Sequence, residues 1–385
     1  MREFFARHKI KLLSFLVPVL LAILYYYTNK GAKVIDVEQQ FAIKPEWWNR
    51  PITQVSLPGT HNSYNTGFKN TNVDISIEDQ IKLGVRFFEI DVYDDGDKLS
   101  VYHGVSWTGK WDFEDILNTL AIGIQEYPTE IFFMKIERHA DQQKVQNTIN
   151  RILGKYIYRG KEGEVPTVQE LIDTDKRLIT TGSAGNMNAP LTYRGTKVGN
   201  KGSLDLLWEP YVYRGEKKSI EPQAGLRLTA VVLDKRGRGV RSYSQQINTP
   251  TYLKKLAIRA WRLNGRIPGQ VIVDFPSLGN VFKVVNELNE NNRLFGTVEV
   301  ASKNPFEDGD IQWICIYEGG EYKEEITTFK LSQFFDLPAQ IGEKMTLRPV
   351  SEKYNIIPES IAWHNEKGKD TLVTFTLKDK TIHNN

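Results

Sequence analysis

The period of the apolar positions changes along this chain. Between residues 48 and 292 short apolar runs predict strands at 52–57, 85–92 ("VRFFEIDV"), 99–103 ("LSVYH"), 131–137 ("IFFMKIE"), 177–182 ("RLITTG"), 205–212 ("DLLWEPYV"), 228–234 ("LTAVVLD") and 270–275 ("QVIVDF"). Helical spacing falls between several of them, in "SIEDQIKLG", "DFEDILNTLAIGIQEY", "DQQKVQNTINRIL", "PTVQELIDT" and "PTYLKKLAIRAWRLNG". The last of these opens on Thr249-Pro250 and closes on Gly265, a Pro-first, Gly-last asymmetry that marks helix ends. A further helix, "NVFKVVNELNENN", follows the last strand. Pro58-Gly59 is expected to end the first strand. Eight strands alternating with crossovers predict an α/β fold, a distorted TIM (β/α)8 barrel whose functional residues sit at the C-terminal ends of the strands.

From about Leu294 the runs become short, alternating and β-rich ("LFGTVEVAS", "IQWICIYEGG", "KMTLRPV", "TLVTFTLKD"), which predicts a small all-β domain over 293–385. Trp313 and Trp363 are its candidate membrane- or glycan-binding aromatics, although such residues more often fill a core. At the other end, "MREFFARHKIK" carries four basic residues and "LLSFLVPVLLAILYYYT" then runs without charge to Lys30. That stretch reaches the roughly 17 residues a bilayer span requires. With basic residues ahead of it and Tyr25, Tyr26 and Tyr27 behind, it reads as an uncleaved signal anchor over 1–30 that leaves the rest of the chain extracytoplasmic. A cleavable signal peptide is the rival, but no A-x-A site follows. Residues 31–47 read as a linker and 48–292 as the catalytic domain.

Composition narrows the classes. At 385 residues, 40% hydrophobic and 25% charged, the chain can bury a sizeable core, and a net charge of +3 gives no concentrated basic patch for nucleic acid. The single cysteine, Cys315, permits no intrachain disulfide.

Polar residues collect at the ends of the first four strands: His61 and Asn62 on the first, Glu89 and Asp91 on the second, His103 on the third, Glu137 on the fourth. Each has an ordinary reading, as a turn residue, a solvated strand face, or a salt-bridged end in "KIERH". Together they suggest chemistry. Residues i and i+2 of a strand share a face, so Glu89 and Asp91 point the same way, into the barrel mouth. Two carboxylates there are costly without a cation. With Glu137 and the Asn62 amide they make four oxygen ligands, the donor set calcium prefers and zinc does not. Two histidines beside such an ion suit phosphodiester cleavage by a neighbouring hydroxyl, which needs a base for the hydroxyl proton and an acid for the leaving alkoxide.

"SLPGTHNSY", "GVRFFEIDVYDDG", "LSVYHG" and "PTEIFFMKIERH" resemble the X-region of phosphatidylinositol-specific phospholipase C, a distorted (β/α) barrel; the resemblance covers residues 45 to 290 and is most specific over 55 to 140. Metal-independent bacterial members of that family carry an arginine at the position of Asp91 and an aspartate at the position of Asn62, so this chain resembles the calcium-dependent branch. The resemblance implies His61 as general base, His103 as general acid, and Asn62, Glu89, Asp91 and Glu137 as calcium ligands. It implies a membrane phospholipid as substrate, with diacylglycerol and a cyclic inositol phosphate as products. Asp274, in "VIVDFP", falls where relatives place an aspartate that orients a histidine. Glu209 and Tyr211, in "WEPY", fall where bacterial enzymes bind inositol hydroxyls. The lysines that grip extra phosphates in the signalling enzymes are not evident, since "RLITTG" offers threonines, and this favours unphosphorylated or glycosylated phosphatidylinositol.

Two rivals remain open. Glycerophosphodiester phosphodiesterases also use Glu-x-Asp and a strand-three histidine, but open with His-Arg-Gly in place of "PGTHNSY". A non-catalytic lipid-binding barrel is the other.

Overall fold

A computed structural model describes residues 38–66, 72–103, 109–160, 165–182, 212–213, 216–217, 227–230, 241–301, 310–319, 325–329, 334–338, 340, 342–365 and 370–380. The expected signal anchor and the expected headgroup residues Glu209 and Tyr211 lie outside these. Among the described residues no helix is long and apolar enough to cross a membrane.

The N-terminal unit runs β1 (Leu57–Thr60), α1 (Ile77–Leu83), β2 (Phe87–Asp95), β3 (Lys98–Val101), β4 (Trp111–Asp112), α2 (Phe113–Glu126), β5 (Phe132–His139), α3 (Gln142–Leu153), α4 (Val168–Asp173) and β6 (Leu178–Gly182). A short antiparallel ribbon, β7 (Val212–Tyr213) and β8 (Glu216–Lys217), precedes β9 (Arg227–Ala230), α5 (Arg241–Ile247), α6 (Pro250–Asn264), β10 (Gln270–Val273) and α7 (Val281–Glu290). Six strands pair in parallel, in the order β6-β5-β2-β1-β10-β9. Helices are capped by side chains their sequences advertise: Ser76 accepts from the Asp79 N–H, Asp141 from Lys144, and Thr167 with Glu170 forms a reciprocal capping box.

Three expectations are corrected. Residues 52–54 form a 3-10 turn, and the first strand lies later, with Pro58 and Gly59 inside it. Pro58 directs its carbonyl to the Arg86 N–H, so its missing N–H falls on that edge just before pairing with β2 begins at Gly59. A Cβ on Gly59 would meet Phe87 Cβ at 2.9 Å and Ile272 Cγ1 at 3.0 Å, so a glycine is what lets β1 fit between β2 and β10. The third strand is antiparallel: β2 and β3 form a hairpin in which Asp95 faces Lys98 across Gly96-Asp97, with Gly96 at φ 64°. Finally, among the described residues the parallel path ends at β6 and β9, which do not pair with each other, so six parallel strands stand where a closed ring of eight was expected.

The C-terminal unit has two four-stranded sheets built from β11 (Arg293–Val300), β12 (Gln312–Glu318), β13 (Glu325–Phe329), β14 (Phe334–Pro338), β15 (Lys344–Val350), β16 (Tyr354–Ile357), β17 (Ile361–His364) and β18 (Thr371–Asp379). Their orders are β14-β11-β18-β16 and β13-β12-β15-β17. Every pairing is antiparallel except β11 with β18. Trp313 is fully buried against Phe335 and Phe375, each 4.8 Å away between ring centroids, and is a core residue unavailable to a ligand.

Helix α6 joins the two units. Trp261 donates its indole N–H to the Asp336 carbonyl, Arg262 pairs with Glu343 and lies 3.8 Å over the Tyr317 ring, and Arg293 reaches Asp336 at 3.2 Å and the Gln54 carbonyl at 2.8 Å. All four charged groups of these contacts are buried, and burial lowers the Arg293 pKa to about 10 and raises that of Asp336.

Candidate active site

The loop after β1 carries His61 and Asn62, and its own hydrogen bonds fix it to β2. Ser63 N–H donates to the Glu89 carbonyl and the Ser63 hydroxyl accepts from the Glu89 N–H, both at 2.9 Å. Gln80 of α1 binds the Thr60 hydroxyl and the Ser63 carbonyl from below. Asn62 takes a left-handed backbone, φ 46°, which asparagine accepts more readily than most residues.

His61 Nδ1 lies 3.0 Å from Asp274 Oδ1, just past the end of β10. The His61 side chain is 16% exposed and Asp274 is fully buried. Asn72 Nδ2 donates to the same carboxylate oxygen, and Asn248 binds the Asp274 carbonyl. Burial raises the Asp274 pKa while His61 and Asn72 oppose the rise. The Asp274 carboxylate favours the tautomer with the proton on Nδ1, and the other ring nitrogen, Nε2, stands 3.1 Å from the Asn62 amide nitrogen.

His103 follows β3. Its pKa is lowered by burial first and by the nearby charge of His61 second, with Glu137, Asp274 and Glu89 acting the other way.

The β2–β5 register sets Glu89 opposite Lys135, Asp91 opposite Glu137 and Tyr93 opposite His139, all on one face. Glu89 and Asp91 are buried, and Glu137 is half exposed. Tyr64 donates to Asp91 Oδ2 at 2.8 Å, whereas Asp91 Oδ1 is buried with no hydrogen-bond partner among the described residues. Burial lifts the Asp91 pKa to about 7 against the pull of Tyr64, with Glu137 and Glu89 adding to the rise. Lys135 contacts Glu89, and His139 Nε2 is 3.7 Å from Glu137. Among the described residues no group of three or more His, Cys, Asp or Glu is placed so that it could hold a metal ion. The donor chemistry still fits a hard cation: an uncompensated carboxylate oxygen at Asp91, two further acids on its face, and the Asn62 amide at the adjoining loop.

Along the parallel sheet, His61 and Asn62 follow β1, Glu89 and Asp91 lie on β2, His103 follows β3, Glu137 lies on β5 and Asp274 follows β10. Sequence reasoning missed Tyr64 and Asn72, and read Lys135 only as part of a salt-bridged strand end. Lys135 was accessible through the same two-residue spacing that paired Glu89 with Asp91, since it stands two before Glu137. Tyr64 and Asn72 had no such signal, because neither lies on a regular strand. Tyr93 also stacks on Tyr102 at 3.9 Å and on His139 at 4.4 Å, making an aromatic wall beside the carboxylates.

Residues 48–179 match the family described as phosphatidylinositol-specific phospholipase C, X domain. A PI-PLC X domain-containing protein 1 of Arthroderma benhamiae is 28% identical over 146 residues, 35% of this chain, and the chain spans about half (48%) of that relative's length. Among solved structures, the phosphatidylinositol-specific phospholipase C of S. aureus is 17% identical with a TM-score of 0.45, covering 63% of this chain and 94% of that one. The enzyme of Listeria monocytogenes is 16% identical with a TM-score of 0.39, covering 65% and 97%. The likeness to the X domain of phosphatidylinositol-specific phospholipase C thus lies over residues 48–179, about a third of the chain.

Proposed function

We propose that the protein is a phosphodiesterase that cleaves the glycerol–phosphate bond of phosphatidylinositol-type lipids, releasing diacylglycerol and a cyclic inositol phosphate. The observation that carries this reading is the His61–Asp274 pair, its carboxylate fully buried, at the end of the sheet where Glu89 and Asp91 lie on β2 and His103 follows β3. Asp274 holds the His61 Nδ1–H, so Nε2 is the atom that accepts the attacking hydroxyl's proton. The Asn62 N–H now facing Nε2 must turn aside for that transfer. The same fixed carboxylate stabilises the imidazolium once formed. His103, its pKa lowered, is a stronger acid than an ordinary imidazolium and delivers a proton to the leaving alkoxide. A calcium ion bound by Asn62, Glu89, Asp91 and Glu137 would supply positive charge to the phosphate and to the attacking hydroxyl. The basic and apolar N-terminal segment supports placing the domain outside the cytoplasm, beside a membrane that offers the lipid.

The test is to incubate the protein with phosphatidylinositol vesicles, with calcium or with chelator, and follow phosphorus by NMR. A cyclic phosphodiester that needs calcium is the expected product. His61→Ala should lower the rate at least 100-fold, and Asp274→Asn by a smaller factor with a shifted pH profile. Hydrolysis of glycerophosphoinositol with none of the intact lipid would assign the chain to the glycerophosphodiester class. Vesicle binding with no turnover under any condition would leave a lipid-binding barrel.

A further inference from the structure

The three carboxylates of the cleft share their face with a cation that the chain itself provides. Lys135 stands opposite Glu89 in the β2–β5 register and two residues before Glu137, so its side chain leaves the same face as Glu89, Asp91 and Glu137. Its ammonium contacts Glu89 in a setting where the two side chains are 20% and 7% exposed. One step along the register, Asp91 Oδ1 is buried without a partner, and Glu137 is directed to His139. One acid is therefore neutralised from within, one is drawn to an imidazole, and one is left uncompensated.

We propose that Lys135 is a built-in counter-charge that holds Glu89 and thereby keeps the divalent-cation affinity of the cleft low. This rests on the reading of Asn62, Glu89, Asp91 and Glu137 as a cation site. A divalent ion that takes Glu89 must displace a full positive charge or sit beside it, and in so little water their repulsion is weakly screened. Were Lys135 absent, Glu89 would add its whole charge to that of Asp91 and Glu137. A weakened site still fills where calcium is near millimolar, the range used by extracellular modules. Lysine suits this part better than arginine in one respect: its compact ammonium sits on a flexible stem that can swing aside without disturbing β5.

Calorimetric titration of the full chain with calcium tests the proposal, using wild type, Lys135→Met, Lys135→Gln and Lys135→Arg, with folding checked by circular dichroism. The two neutral variants keep the stem and remove the charge, and either should bind calcium at least tenfold more tightly than wild type. Lys135→Arg should bind like wild type, an outcome a mere packing role for the lysine does not require. Equal affinities for wild type and the neutral variants would overturn the proposal and leave the calcium reading standing. Absence of calcium binding in every protein, with lipid cleavage persisting in chelator, would overturn the calcium reading and this proposal together.

Discussion

Asp91 shows how far a single residue is set by its surroundings. Its carboxyl is buried, one oxygen accepts from Tyr64 and the other accepts from nothing described, and its pKa stands near 7 where an unfolded chain holds it near 3.8. Below about pH 4 both states carry the proton and the shift contributes nothing. Between about 4 and 7 only the folded state keeps it, so stability falls as pH rises, and above 7 the full penalty applies. In chelator, Asp91→Asn should therefore melt several degrees higher than wild type at pH 8 and at nearly the same temperature at pH 4. Differential scanning calorimetry at the two pH values reads this directly; an equal effect at both would mean that ionisation of Asp91 is not what costs stability. At this scale the sequence was informative wherever a fixed spacing exists. Glu89, Asp91 and Glu137 share a face because strands alternate, and Lys135 obeys the same rule. Asn72 and Tyr64 were illegible, since neither lies on a regular strand and the hydrogen bonds of Asn72 to Asn65 and Asn62 follow from no fixed spacing.

Among the elements, β1 and the β2–β3 hairpin teach opposite lessons. "YDDGDK" contained the Gly-Asp signal for a two-residue hairpin, and reading it would have turned the third strand antiparallel in advance. Pro58-Gly59 misled for a physical reason. The pair usually breaks a strand, but here the proline's missing donor meets no partner and the glycine's missing side chain meets two close neighbours. Gly59→Ala should accordingly destabilise the fold by about 1–3 kcal/mol, since its methyl would press on Phe87 and Ile272, which are themselves packed. Urea unfolding measures it, and a change within a few tenths of a kcal/mol would show that β1 can move outward at little cost. Because His61 follows directly after Thr60, the same variant should also lose activity beyond its loss of stability.

For the whole molecule, the notable feature is how the β-sheet pair is attached. A flexible tether would leave polar surface on both sides. Here Trp261, Arg262 and Arg293 meet Asp336 and Glu343 with every charge buried. Removing one partner of such a pair leaves an uncompensated charge at a cost of about 3–5 kcal/mol. Asp336→Ala should lower the melting temperature of the whole chain as one cooperative transition, with both cores failing together. Two separated calorimetric transitions would show that the units unfold independently. The β character of this region was plain from its alternating pattern, whereas its attachment was not, because each partner is an ordinary charged residue until α6 and β14 bring them together.

The parallel pairing of β11 with β18 bears on synthesis. Strand β11 begins at Arg293 and β18 occupies Thr371–Asp379, so one neighbour of β11 is made some seventy residues after it. Until that segment leaves the ribosome, β11 has an open edge on that side, and the sheet it belongs to is completed only once translation has passed residue 379.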